Sequence, residues 1–454
     1  MTTKPFGSFV VAVSTAALAA SVGLAGSPTW SNTLGTPGMS GSYVAAFAVH
    51  DDGSGPMLYA TGQFGSAGGA PGTSNLARWT GSAWEGVGGG LINQFSNCLT
   101  TFQGDLYAGG YFDSAGGVPG TEKLARWDGA QWNSVNAQSS SFLNSIWDLL
   151  VFDDGSGEKL FVAGNYLEIG GPGGPSHLAT FDGTNYAPVG ATIAGAVPLI
   201  VLDITVADLG GGPRLFASGR FLEIGGVPAK NIAIWDGSAW HALGDGLTQS
   251  SGIAQVITMV EFDDGNGPAL YAGGSFQLAG GNPAVRVAKW DGSTWSALGA
   301  GFGGTVQELT VFDDGSGPAL YAMGNFTVAN SGIDRIAKWN GVSWEQVGAG
   351  ADNTVFGAIV ADAGEGEALH MGGSFLNAGG LASSKVVSLV AAGPAGCNDA
   401  DIAAPFGVLD LADVQAFIAG FLAQDPIADI APPTGVWDLA DLQAFIAAFN
   451  AGCP

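Results

Sequence analysis

Short bursts of apolar residues alternate with Gly, Asp and Asn along most of the chain, and the bursts recur in one order. Val311 to Gly350 shows it best: VFDDGSGPALYAMGNFTVANSGIDRIAKWNGVSWEQVGAG holds four strand-length segments separated by turn residues. VFDDGSGP closes an apolar run in a Gly-rich turn, and ALYAMGNF follows as a strand of aromatic and small residues. RIAKW and SWEQV then flank Asn340-Gly341, a strong hairpin signal. Four antiparallel strands in about fifty residues form a sheet too small to bury both faces, so each unit is expected to pack against neighbours.

The neighbours are countable. The aromatic after G-x in the second strand falls at Phe64, Phe112, Tyr166, Phe221, Phe276, Phe326 and Phe375, which gives seven units. A third-strand aromatic recurs at Trp79, Trp127, Phe181, Trp235, Trp290 and Trp339, and a fourth-strand aromatic at Trp84, Trp132, Tyr186, Trp240, Trp295 and Trp344. The seventh unit has Leu389 at the third-strand position and then leaves the pattern. Its missing strand resembles Thr29-Trp30-Ser31-Asn32-Thr33-Leu34-Gly35, which matches Ser238 to Gly244. A ring of sheets loses its open edge when the N-terminal segment completes the last sheet. The expected fold is all-β, a seven-bladed β-propeller over 28–393 closed by the N-terminal strand. The alternative, an open array of stacked sheets, leaves Trp30 without a sheet.

Composition suits many short strands and tight turns: of 454 residues 46% are apolar, 11% are charged and 76 are glycine. Thirteen basic against 39 acidic residues give a formal charge of −26. Nucleic acid and anionic membrane surfaces are therefore disfavoured as partners, whereas cations and neutral polymers are compatible. Residues 1–26 carry one basic residue, Lys4, an apolar run from Phe9 to Ala20, and small residues through Ala25-Gly26-Ser27. This is the pattern of a secretory signal peptide cleaved near residue 25. Ser14, Thr15, Ser21 and Gly23 weaken the competing reading as a membrane anchor. The mature chain is expected to be secreted or cell-surface, with no membrane span. Cys397 and Cys453 bracket the C-terminal segment and are expected to form a disulfide in an exported protein, and Cys98, on the first strand of the second unit, reads as a buried thiol.

The repeated Asp-Asp-Gly-Ser/Asn-Gly at Asp51, Asp153, Asp263 and Asp313 admits a calcium reading. Tight turns demand the same residues, and the segments lack alternating ligands ending in a distal acid, so the turn reading is preferred. The second-to-third-strand loops, such as Gly65 to Asn75 and Leu222 to Asn231, lie at the opposite end of each unit, as do the links between units, such as Gly244 to Gly252. Binding residues of a repeat scaffold sit on such loops. Glu168 and Glu223 occupy equivalent loop positions, while Asp113, Trp147, Gln249, Asp352 and Asn353 vary between units; these seven are the candidate ligand residues. His50, His177, His241 and His370 fall at four repeat phases, which implies no catalytic pair, and no nucleophile elbow, zinc-protease helix or phosphate loop is present. No catalytic residue is assigned.

The pattern at Leu270 to Gly299, LYAGGxF…AGG…AxWDGxxWxxLGxG, resembles the kelch-type and related β-propeller repeats of secreted bacterial proteins, over about four-fifths of the chain. The resemblance implies binding or scaffolding more often than catalysis. The copper-radical oxidases on kelch propellers use a Cys-Tyr crosslink with Tyr and His ligands, and this chain offers no such set.

After Gly393-Pro394 the composition changes to a duplication offset by 28 residues, in which Asp401, Asp410, Asp413 and Phe417 correspond to Asp429, Asp438, Asp441 and Phe445. Leu411, Val414, Phe417, Ile418, Phe421 and Leu422 follow helical spacing, as do Leu439, Leu442, Phe445, Ile446 and Phe449, which predicts two amphipathic helices facing each other over 394–454. The segment resembles dockerin-like modules, whose loop-helix repeats bind calcium. The resemblance places Asp401, Asp410 and Asp413, with Asp429, Asp438 and Asp441, at the first, ninth and twelfth ligand positions. Here each loop is one residue longer, and Ala403, Pro405, Ala431 and Pro433 stand where ligands belong. The preferred reading makes Asp410 and Asp438 helix caps, with Asp413 and Asp441 on first-turn amides. Calcium, if bound, is weakly held, and no other cofactor is required.

These residues point to a non-enzymatic binding or adhesion scaffold that presents loops to an extracellular polymer or cell-surface protein, a glycan among them, with the tail for anchoring or assembly. The alternative is an extracellular polysaccharide hydrolase or lyase with carboxylates at the propeller mouth.

Overall fold

In the computed structural model, the residues described are 27–135, 145–166, 168–170, 176–190, 192–195, 199–328, 333–392, 411–423, 428 and 441–446. Ser27–Ala391 form one compact unit, in which seven four-stranded antiparallel sheets carry the chain. In the fifth sheet, Gln255–Asp263, Pro268–Ser275, Val287–Trp290 and Trp295–Ala297 pair in chain order. The first strands of successive sheets are Met39–Asp51, Ser96–Phe102, Ile146–Asp153, Ile200–Ala207, Gln255–Asp263, Thr305–Asp313 and Val355–Asp362. Each lies against the next, and the last lies against the first. The arrangement is propeller-like.

The seventh sheet, Val355–Asp362, Glu367–Gly373 and Val386–Val390, takes its fourth strand from Thr29–Ser31. Trp30 stands opposite Leu389, where Trp79 faces Trp84 and Trp290 faces Trp295 in other sheets. Those facing pairs pack with ring centroids 5.4 and 5.3 Å apart. The outer tryptophan of each pair also ties neighbouring sheets together. Trp84, Trp240 and Trp295 Nε1 donate at 2.8 Å to the carbonyls of Leu34, Val189 and Leu243 in the preceding sheet. A core residue thus closes both a sheet and a boundary, which explains why the aromatic repeat is so regular. The core fills the spaces between sheets, with Tyr59, Tyr107, Tyr271 and Tyr321 fully buried in it.

Each first strand contains a β-bulge near its start, as between Ile146 and Asp148 or Val306 and Glu308. At its other end, the first Asp of each repeated turn caps the turn. Asp263 Oδ1 accepts the amides of Gly265 and Gly267 at 2.8 and 2.9 Å, and Asp51, Asp153, Asp208, Asp313 and Asp362 do likewise.

A second compact unit contains the C-terminal residues. Leu411–Ala423 form an α-helix, 441–446 are helical, and Phe417 stacks on Phe445 with centroids 4.2 Å apart. The apolar spacing had predicted wider burial, yet Ile418, Leu422, Leu442 and Ile446 are exposed. One aromatic from each repeat meets in the seam. No helix among the described residues is long and apolar enough to cross a membrane.

Candidate functional site

The antiparallel order sends the Asp turns to one face of the ring and the second-to-third-strand loops and inter-sheet links to the other. On the loop face, a non-glycine residue of positive φ immediately precedes the third strand at Asn75, Lys123, His177, Asn231, Arg286 and Lys385, and Arg335 holds the same phase inside the longer strand Ile333–Trp339. Asn231 shows the reason. Its amide donates to the Phe221 carbonyl at 2.8 Å, its carbonyl accepts the Gly219 amide at 3.0 Å, its Oδ1 accepts the Phe221 amide, and its Nδ2 donates to Leu247 at 2.7 Å. A left-handed residue costs about 1 kcal/mol, and buried hydrogen bonds of this kind offset it. This position was missed in sequence reasoning. Its signal was a polar residue at one fixed phase, ahead of the apolar third strand.

The candidate ligand residues are spread around the loop face, and several hold the loops themselves. Exposed Asp352 accepts the Leu376 amide at 2.9 Å and Asn377 Nδ2 at 2.7 Å, and these bonds lower its pKa against the opposing effect of burial. Asp113 accepts from Asn93 Nδ2 at 3.0 Å and lies 3.7 Å from Lys123. Asn353 Oδ1 accepts the Thr354 amide at 2.9 Å. Glu223 is exposed on a two-residue strand, Glu223–Ile224, that pairs with the preceding link, and Glu168 and Gln249 are half-buried. Trp147 differs from these, because it is the bulge residue of its first strand and borders the centre of the ring, with Nε1 shut from solvent and unpartnered.

Beside it lies a carboxyl cluster not singled out from the sequence. The residue after the bulge is Asp148, Asp203 and Glu308 in the third, fourth and sixth sheets. Burial raises all three pKa values, that of Asp203 well above the ordinary carboxylate value and that of Glu308 up to about 8, with the charge of Asp148 adding to both. Asp148 accepts the Leu149 amide and, from the next sheet, the Ile204 amide, both at 2.8 Å. Asp203 likewise takes the Met259 amide of the sheet after it, and its Oδ2 is buried without a partner. Thr258 continues the series by accepting the Leu309 amide at 3.1 Å. These side chains brace first strands across sheet boundaries. The readable signal was an acid inside an apolar run, IWDLLVFD or IVLDITVA, at one repeat phase.

At the other face, the second Asp of the turn forms a triad with a phenol and a basic side chain. Asp264 Oδ2 meets Tyr271 Oη at 2.9 Å and Lys289 Nζ at 2.6 Å, and Asp314 meets Tyr321 and Lys338 at 2.7 Å each; Asp52, Tyr59 and Arg78 repeat the set. The carboxylates considered for calcium are thus engaged by amides, phenols and cations. Among the described residues, no group of three or more His, Cys, Asp or Glu could hold a metal ion. Cys98 is a buried free thiol whose pKa burial pushes up. Of the tail residues, Asp441 is fully buried. Asp413 lies in the helix Leu411–Ala423, with its side chain outside the described set, and Asp401, Asp410, Asp429, Asp438, Cys397 and Cys453 lie outside the described residues altogether.

No protein-family profile and no curated protein sequence matches the chain. Solved structures that it resembles include BBS1N in complex with ARL6DN, with 10% identity, a TM-score of 0.43, and coverage of 78% of this chain and 93% of that one. Two more are extracellular domains of a hybrid two component system and a one component system from B. thetaiotaomicron, at 12% and 11% identity and TM-scores of 0.41 and 0.40. They align with 77% and 81% of this chain, which spans only 42% of the length of each.

Proposed function

We propose that the chain is an exported, closed seven-bladed β-propeller that serves as a non-enzymatic binding scaffold for an extracellular glycan, with residues 394–454 as a dockerin-like tail for anchoring or assembly. The observation that carries this reading is on the loop face. Leu222, Ile253 and Leu376 are 51%, 47% and 57% exposed there, while Asp113, Asp352 and Asn353 hold loops in place. Uncovered apolar side chains on a rigid frame suit contact with a polymer. A hydrolase or lyase asks instead for two carboxyls free to move a proton. Of the central carboxyls, Asp148 fits that role poorly, since both its oxygens accept backbone amides, and Asp203 gives one oxygen to the Met259 amide. Residues 1–26 act as the export signal in this reading, and the tail aspartates cap its helices, calcium being weakly held if it binds at all.

The test incubates purified mature protein with insoluble cellulose, xylan and chitin, and measures bound protein and released reducing sugar together. Retention without sugar release is the expected result. Sugar release, or no retention on any of the three, overturns the proposal.

A further inference from the structure

Between the third and fourth sheets, on the Asp-turn face, lies a cleft of about 260 Å³ whose lining includes Phe152, Asp153, Asp154, Arg214, Leu215 and Trp235. We propose that this cleft binds one pyranose ring of a neutral glycan. The inference rests on the glycan-binding reading above and adds a site to it, on the face opposite the loops.

At this boundary the repeat lacks a triad that it carries elsewhere. In the first, fifth and sixth sheets, the Asp, Tyr and Lys or Arg triad occupies the side facing the next sheet. The third sheet has the turn acid, Asp154, but Phe161 stands at the tyrosine position and Thr180 at the basic position. Asp154 keeps the contact to Ser156 that Asp52 and Asp314 make to Ser54 and Ser316, and its basic partner is Lys159, from the second strand. The fourth sheet loses the triad too, with Phe216 and Ile234, but Leu209 and Ile234 pack into the core beside it. Neither Phe161 nor Thr180 lines the cleft, but Asp154, which a lysine at position 180 would reach as Lys338 reaches Asp314, does.

The lining matches the chemistry of a sugar. Phe152 and Trp235 are half-buried, so ring surface remains to cover the C–H face of a pyranose. Of the third-strand counterparts of Trp235, Trp79, Trp127 and Trp339 are buried, and Trp290 is half-buried as Trp235 is. Around this floor stand fixed hydrogen-bonding groups: Asp153 Oδ1 is held by the Gly155 and Gly157 amides, and Arg214 donates to the Asp236 carbonyl at 2.6 Å. The volume falls below the roughly 300–1,000 Å³ of drug-sized pockets, which fits a single ring and weak binding.

The test uses the mature full-length chain with cellohexaose, xylohexaose and mannohexaose, by saturation-transfer NMR and calorimetry. Thr180→Lys restores the repeat's own side chain beside Asp154 and should fill the cleft without unfolding the sheet; Trp235→Ala removes the floor. At least a tenfold loss of affinity in both variants is expected, with the thermal midpoint of Thr180→Lys unchanged and with the exposed Val342→Ser binding normally, while Leu222→Ser and Leu376→Ser report on the loop face separately. Sugar binding that survives Thr180→Lys and Trp235→Ala, or that is lost only in the loop-face variants, overturns the cleft and leaves the scaffold standing. No binding of any of the three sugars overturns the cleft, and joined to a failure to bind the insoluble polysaccharides it overturns the glycan reading as well.

Discussion

Replacing Glu308 by Gln should make the protein markedly more stable in alkali while leaving it nearly unchanged in acid. Glu308 follows the bulge of its first strand, is half-buried, and feels the charge of Asp148. Its carboxyl ionises near 8 when folded and near 4.5 when exposed. A group whose pKa is raised by folding binds more protons in the folded state, so stability falls as pH rises from the lower value to the higher. At about 1.4 kcal/mol per pH unit, the full span corresponds to roughly 5 kcal/mol, and water entering along the ring axis would reduce this to about 2–5 kcal/mol. Glutamine keeps the shape and removes the ionisation. His177, which burial pulls down to about 4, contributes the opposite slope below pH 6.5, so the informative quantity is the gap between the two proteins at each pH. Urea unfolding followed by tryptophan fluorescence at pH 4, 7 and 9 should give a gap below about 1 kcal/mol at pH 4 that widens steadily to pH 9. A gap independent of pH, or a variant less stable at pH 9, would refute the placement of this carboxyl.

Two further outcomes bear on closure and on the loop face. Trp30→Ala should cost about 2–4 kcal/mol, because the half-buried indole lies against Gly348 and Gly379 so closely that a side chain at either glycine would strike it; differential scanning calorimetry and the rate of trypsin cleavage read the loss, and an unaltered midpoint would contradict the pairing with Leu389. Asn231→Ala should cost about 2–4 kcal/mol through two lost buried hydrogen bonds and a strained backbone, with Asn231→Gly recovering about 1 kcal/mol of it; equal losses in the two variants would show that φ plays no part.

The sheets were legible because their signals are local and repeated. Trp79 and Trp84 mark two facing strands from five residues of sequence, and six such pairs set the phase for everything between them. The long-range step was legible as well, since Trp30 has no partner nearby and Leu389 has no fourth strand after it. What sequence could not show was convergence. Asp148, Asp203 and Glu308 are far apart in the chain and look like isolated acids in apolar strands, and only the closing of the ring brings their charges within reach of one another. The cleft was hidden for the opposite reason. Phe161 and Thr180 are ordinary strand residues, and their meaning lies in what Tyr271 and Lys289 do at the same phase elsewhere.

The same contrast changes the meaning of the charge. A formal −26 reads at first as an acidic surface awaiting a cationic partner. Much of the acid is instead built into the turns. The first Asp of each repeated turn holds two amides, and the Asp between third and fourth strands does so again. Asp128 accepts the Ala130 and Gln131 amides, and those bonds lower its pKa to about 2; Asp236 and Asp291 are lowered in the same way, chiefly by the His241 side chain and the Thr294 amide respectively. Asp52, Asp264 and Asp314 are matched by Arg78, Lys289 and Lys338. An acid chosen for its fit to tight turns accumulates with every unit added, so the net charge grows with repeat number and not with any requirement of a ligand. Specific recognition is then sought where the repeat departs from itself, and the gap between the third and fourth sheets is such a place.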